Sequence, residues 1–389
     1  MVNQKEKVLH RLLPYGVVLA VVLLLVLTPQ EDAGFQSVVN DGISYQRGTV
    51  VRVLSQNLEE SPLGSGMLGS QELTVVLHDG RQIAVTNYLT DTHNILAKEG
   101  AKVIICVDAP DGVEPYYTLF NYDRSAALTI IFEVFVLLMF LIGRKQGANA
   151  VLAIGVSLLL ILRFTIPAIY RGSSPIAIGM LTVIASTVIS LLLLHGATVR
   201  ALLAAGVTLV GEGVACVLFA LSAALLHVGG FQTDQAEGLL VVAQNTGLDL
   251  KNLLFAATMI ASLGAVMDVA VSLLSALWEL EQQSALEGKQ LFRSGMNIGK
   301  DMIGTMSNTL IFAFTGNALA TMLSLTAYGV QSAQLLNSDY IALEIAQGLC
   351  GTGGVILTVP IASAAAAALF PRLFPPDRKH SAKSLITCK

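Results

Sequence analysis

The chain has 389 residues, of which 54% are hydrophobic and only 13% charged, and its mean hydropathy is +0.68; soluble domains carry about 25% charge. Several runs of about 20 apolar residues must therefore exist, each able to cross a bilayer. A formal net charge of -4, dispersed along the chain, excludes a nucleic-acid partner, because phosphate binding needs clustered Lys and Arg.

The first apolar run, Leu12 to Leu27, follows Lys5, Lys7 and Arg11 and precedes Thr28-Pro29-Gln30-Glu31. Such a run is a signal peptide or a membrane anchor. The anchor, over residues 1–28, is the reading adopted, because no small-x-small cleavage site follows it.

Residues 45–121 read as an extracytoplasmic β domain. Gly48–Val53, Glu72–Leu77, Gln82–Asn87, Lys102–Val107 and Pro115–Phe120 have the β-branched content and alternation of strands. His78-Asp79-Gly80 and Ala109-Pro110-Asp111-Gly112 supply turns. Five short strands suit a small closed or partly open barrel of OB or SH3 type. Of the four cysteines, Cys106, Cys216, Cys350 and Cys388, only Cys106 falls in this domain, so no exterior disulfide is expected.

Further apolar runs follow at Ser125–Ile142, Asn149–Ile169, Pro175–Leu194, Ala201–His227, Leu253–Trp278, Met302–Tyr328 and Ile341–Phe370. Most are long enough to cross about 30 Å of hydrocarbon. The fold class expected is a membrane all-α bundle of about eight transmembrane helices with a small extracytoplasmic β-barrel-like domain after the first. Residues 125–371 form the seven-helix part and 372–389 a tail. Arg144-Lys145, Arg200, Lys289, Arg293, Lys300, the N-terminus and the basic tail all fall on one side. That side is the cytoplasm by the positive-inside rule, so both termini are expected inside a bacterial cytoplasmic membrane.

A charge near the bilayer centre costs about 3 kcal/mol, so an intramembrane carboxylate is a functional candidate. Asp268, Glu212 and Glu133 lie near the middle of their runs, and Glu344 lies closer to an end. Gly264, Asp268, Ser272, Ser275 and Glu279 share one helical face, as do Asp301, Thr305, Asn308 and Thr315 on the next helix. The two polar stripes are expected to face each other. The plainer reading is that their hydroxyls and amides only join helices by hydrogen bonds.

Glu212 sits in Gly206-x4-Gly211-Glu212-Gly213, where it serves as a second carrier or as a packing partner. Glu133 is expected to pair structurally with Arg163. Gly348, Gly351, Gly353 and Gly354 before Pro360 imply either close packing or a broken helix lining an ion or substrate site. Glu279 to Lys300 reads as an amphipathic connection along the cytoplasmic interface, or as a solvated loop helix.

Ser262-Leu-Gly264-Ala-Val-Met-Asp268-Val-Ala-Val-Ser272, followed by Leu291-Phe-Arg-Ser-Gly295-Met-Asn-Ile-Gly299-Lys-Asp301-Met-Ile-Gly304-Thr-Met-Ser-Asn308-Thr-Leu, resembles the YibE/F family of bacterial membrane proteins. The resemblance extends, less specifically, over the order of anchor, β domain and bundle. It implies a membrane protein without naming an activity. The Gly-x3-Asp step and the Asn-Thr-Leu motif are also similar to the SecD/SecF and resistance-nodulation-division transporters, which use proton-motive force. That similarity carries over to Gly264, Asp268, Asn308 and Thr309. Two extra spans and a smaller exterior domain depart from it.

The leading functional expectation is a proton- or cation-coupled permease or translocation aid of unknown cargo, with Asp268, Glu212 and Glu133 as ion-coupling groups. The alternative is a non-transporting membrane scaffold whose exterior β domain binds a cell-surface partner. No His-Glu-x-x-His, Gly-x-Ser-x-Gly or Walker motif is present, and Ala265-Val266-Met267 before Asp268 departs from the Gly-x-Gly-Asp of intramembrane aspartyl proteases. No enzyme activity, cofactor or metal site is expected; the partners are the lipid bilayer, an ion and the cargo or a membrane partner.

Overall fold

The computed structural model describes residues 2–27, 42–62, 64, 66–110, 112–230, 236–284 and 286–373. Cys388 and the tail from residue 374 lie outside them. The chain divides into two compact units, one over Gln36–Ile142 and one over Met1–Phe35 with Gly143–Lys389.

The smaller unit is built on five strands: β1 (Ile43–Glu60), β2 (Met67–Leu77), β3 (Gln82–Leu89), β4 (Lys102–Asp108) and β5 (Tyr116–Tyr122). Each expected strand falls within one of these apart from Pro115. They close into a barrel in the order β1-β2-β3-β5-β4, with β3 and β5 the parallel pair. That order decides for the OB type over the SH3 type. The long β1 serves two neighbours, pairing with β4 through its first half and with β2 through its second. Gly48 lies where the two pairings overlap, and a Cβ there would meet Val75 Cγ1 at 2.5 Å. Only glycine lets the strand cross at that point.

Inward positions alternate along the strands, and Val50, Leu73, Val75, Val85, Val103 and Ile105 make a buried core. Two polar side chains are buried beside it, Gln71 and Asn87. Gln71 accepts from Ala97 N at 2.9 Å and donates to Ala97 O at 3.1 Å, while Asn87 donates to Ile95 O at 2.7 Å and to Gln71 Oε1 at 3.1 Å. These amides stand in for a strand partner along residues 95–97. Gln71→Leu is expected to destabilise the barrel by about 1–3 kcal/mol, because it strands the buried Ala97 backbone groups. Faster hydrogen exchange at the Ala97 amide is the measurable sign.

After β5, Asp123 starts the next helix. The Ser125 hydroxyl and amide donate to its Oδ1 at 2.5 and 3.0 Å, and Arg47 lies 3.6 Å from the other oxygen. The two Ser125 bonds, more than Arg47, hold the Asp123 carboxyl below the ordinary carboxylate range. A lowered folded value means that the stabilisation is complete above about pH 4, the unfolded value, and is lost as pH falls through the folded one. Asp123→Asn is expected to remove this part of the acid dependence, read as a flatter loss of melting temperature below about pH 4.

The following helices are α1 (Val2–Leu27), α2 (Ser125–Leu160), α3 (Ile166–Tyr170), α4 (Pro175–His195), α5 (Val199–Leu225), α6 (Ala236–Thr246), α7 (Leu250–Ser284), α8 (Gly288–Ala327), α9 (Ser332–Leu336) and α10 (Asp339–Leu373), with a π-helical turn at Ile161–Thr165. Among the described residues six helical stretches are long and apolar enough to cross a membrane. The other two expected spans are α1, whose described apolar part is Pro14–Leu27, and the pair of runs at 125–142 and 149–169, which lie in one helical stretch, Ser125–Tyr170. Within it Arg144 has φ 47° and ψ -126°, so α2 is two helices meeting at a break. A β-carbon-bearing residue rarely adopts that conformation.

In the larger unit, α1 packs Val18 against Ala153, Val156, Ile189 and Leu193, and Tyr15 donates to Asn149 Oδ1 at 3.0 Å. The main core joins α5, α7, α8 and α10 around Leu273, Leu277, Leu291, Val355 and Phe370. α10 is its central helix, packed on the other three. Its helix is continuous through Gly348, Gly351, Gly353, Gly354 and Pro360, so the broken-helix reading of those glycines gives way to close packing. Gly354 faces Ala215, Gly353 faces Leu218, and Gly351 lies near Ser262 and Leu310. On α8, Gly295 and Gly299 make the matching approach to Ser363 and Val359 of α10.

The amphipathic segment Glu279–Lys300 comprises the end of α7, the short link after Ser284 and the start of α8. Leu286, Leu291 and Met296 pack into the main core, and Glu287 with Gln290 forms a capping box that starts α8. Glu281 is fully buried at the turn and accepts from Leu286 N at 3.1 Å. Burial of the apolar face against α10 decides the outcome here.

Candidate functional site

The site forms where α5, α7 and α10 cross. Gly211 permits the crossing, since a Cβ there would meet Thr358 Oγ1 at 2.1 Å and Val266 Cγ1 at 2.9 Å. The next residue, Glu212, is 2% exposed. Its Oε1 lies 2.6 Å from Ser262 Oγ of α7, while its Oε2 is buried with no hydrogen-bond partner. Beside it runs a narrow crevice lined by Ala215, Cys216, Phe219, Phe255, Thr258 and Met259, too tight for a water molecule.

Two further polar residues complete the cluster. Thr258, one turn before Ser262, donates to Leu254 O at 2.8 Å and accepts from Gln347 Nε2 of α10 at 3.0 Å. Ser262 also lies 2.9 Å from Thr258 O. A serine hydroxyl has one proton, so it cannot donate to Thr258 O and to Glu212 at once. Both contacts are satisfied together when Glu212 carries a proton and donates to Ser262. When Glu212 has lost it, Ser262 must turn its own proton to the carboxylate.

Of the sequence candidates, only Glu212 lies in this cluster. Asp268 is exposed on α7, and its side chain has no hydrogen-bond or ion-pair partner among the described residues. Gly264 and Ser272 of the same face are also exposed, and Ser275 is half-buried; a Cβ on Gly264 would meet nothing. On α8, Thr305, Asn308, Thr309 and Thr315 are exposed too. The two polar stripes are thus not buried against each other, because both helices spend their apolar faces on α10. Glu133 is exposed on α2 in the smaller unit and Arg163 is exposed in the larger, so neither is described as half of an ion pair. Thr258, Ser262 and Gln347 were not singled out as site residues. Their only signal is a polar group on an otherwise apolar helical face, with Thr258 and Ser262 one turn apart.

Among the described residues no group of His, Cys, Asp and Glu could hold a metal ion. Membrane-length helices that enclose a dry carboxyl define a multi-pass membrane protein with an intramembrane polar site. The model of the family described as YibE/F-like protein matches residues 131–372. That is more than half of the 389 residues, and the chain belongs to the YibE/F family. The match begins after the β barrel and takes in all of the polar cluster. No curated protein and no solved structure matches, so the resemblance to SecD/SecF gains no support from them.

Proposed function

We propose that this protein is a proton-coupled carrier of the bacterial cytoplasmic membrane, with Glu212 as the proton-carrying group. In this reading both termini are cytoplasmic and the barrel is outside. The observation that supports it most is the unpartnered Glu212 Oε2 in a crevice without room for water. An unpaired buried polar atom costs about 1–3 kcal/mol, and at Glu212 that cost falls on a group able to take up a proton. A proton suits the site better than a metal cation, which needs about six oxygen ligands. Gain or loss of that proton reorients Ser262 at the α5–α7 contact, and this is the element that would bias two arrangements of the bundle.

Dicyclohexylcarbodiimide attacks protonated carboxyls in apolar surroundings, so peptide mass spectrometry after labelling tests the assignment. Labelling at Glu212 that falls with rising pH supports the reading. Labelling of Asp268 alone would move the carrier role to the exposed face of α7.

The scaffold reading is favoured by one observation, the exposed aromatic pair Tyr45 and Phe120 on the barrel, whose rings meet edge to face at 4.8 Å. Such a pair suits a protein contact. Under that reading Tyr45→Ala with Phe120→Ala abolishes function while Glu212→Gln retains it.

A further inference from the structure

Another buried carboxyl, apart from the Glu212 cluster and from Glu281, lies between α8 and α10. Glu344 is 8% exposed. Its Oε1 accepts from Asn317 Nδ2 at 2.8 Å, and Asn317 also reaches Tyr340 Oη at 3.3 Å. Its Oε2 is buried and has no partner, and Glu344 lines a cavity of about 190 Å³. Apart from Thr315 the remaining walls are apolar, with Ile311, Phe314, Ala318, Met322, Ile341 and Leu349 around the carboxyl.

We propose that this cavity binds a small organic ammonium ion, with the charged nitrogen on Glu344 and an apolar body against Phe314, Ala318 and Met322.

Three features select that chemistry. The free oxygen supplies one strong acceptor, which an ammonium N–H matches with a charge-assisted hydrogen bond. The walls supply apolar area, an aromatic face and a polarisable thioether, all favourable to an organic cation. An inorganic cation finds too few oxygens, because the lining offers little beyond Glu344 and the Thr315 hydroxyl. The size also fits, since an apolar cavity of about 150 Å³ is enough for benzene. The site is independent of the proton-carrier reading; if both hold, the ammonium ion is the cargo class.

The test is equilibrium binding of radiolabelled benzylammonium to the purified full-length protein, with benzyl alcohol and sodium as competitors. Saturable binding that benzyl alcohol and sodium displace only weakly is expected. Glu344→Gln should weaken it roughly ten- to a hundredfold, the worth of a charged hydrogen bond. Ala318→Leu, which keeps the carboxyl but fills the cavity, should weaken it as well. Displacement by benzyl alcohol as effective as by unlabelled benzylammonium would make the cavity a groove for lipid chains and overturn the proposal. Equal displacement by sodium would overturn the ligand class. The wild-type competition needs no variant, so a Glu344→Gln protein that fails to fold leaves the proposal testable. Because the readout is binding and not flux, its failure leaves the Glu212 reading standing, and the reverse also holds.

Discussion

Gly211→Val is expected to collapse the membrane bundle, the largest effect of any single substitution considered. Its first added carbon would lie 2.1 Å from Thr358 Oγ1 and 2.9 Å from Val266 Cγ1. Thr358 cannot retreat, because it is fully buried and its hydroxyl donates to Gly354 O at 2.8 Å. The same crossing brings Gly354 against Ala215, so α5 and α10 would have to separate over a full turn. Overpacking of this kind costs about 1–3 kcal/mol for a methylene or two, and the branched side chain is expected to exceed that range. Thermal unfolding of the detergent-solubilised protein is the measurement. Gly213→Ala and Gly264→Ala are the contrast: nothing lies within 4 Å of either added carbon, and each should hold or raise stability by up to about 1 kcal/mol through helix propensity. Equal melting temperatures for Gly211→Val and Gly264→Ala would contradict the described crossing.

Replacement of Glu212 is expected to separate stability from function. Glu212→Leu removes a buried oxygen that has no partner, and Ser262 keeps the Thr258 carbonyl as its acceptor. A gain of about 1–2 kcal/mol in stability should follow. Proton-dependent activity should be lost in the same variant and in Glu212→Gln, which keeps the volume and a hydrogen-bonding carbonyl but cannot exchange a carboxyl proton. A residue whose removal stabilises the fold while abolishing activity is held for function. Loss of stability with retained activity would instead assign Glu212 to packing.

The legible part of the molecule was local. Apolar runs in the sequence located the membrane-length helices, though α8 begins at Gly288, well before the run at Met302, and alternation located the barrel strands. Arg144 illustrates a limit. Lys145 lies between two apolar runs, and the break between the two helices falls at its neighbour Arg144, with helix assigned on both sides. Periodicity also grouped Gly264, Asp268 and Ser272 on one face correctly without telling where that face points. The direction depends on α10, whose glycines and small residues accept α5, α7 and α8 more closely than those helices accept one another. Glu212 was visible as an expensive carboxyl in a glycine-rich run. Its neighbours were not, because Ser262 is 50 residues away in the chain and Thr258 is 89 residues from Gln347. No spacing rule within one sequence relates positions on three helices.

Infrared difference spectroscopy of the protein in liposomes, recorded as the pH is stepped, tests most directly whether Glu212 takes up and releases a proton, and it requires no cargo. A protonated-carboxyl band that grows as pH falls, shifts in deuterium oxide and disappears in Glu212→Gln is the predicted result. The same band undiminished in Glu212→Gln, or no pH-dependent carboxyl band in the wild type, would contradict the assignment of Glu212 as the proton carrier.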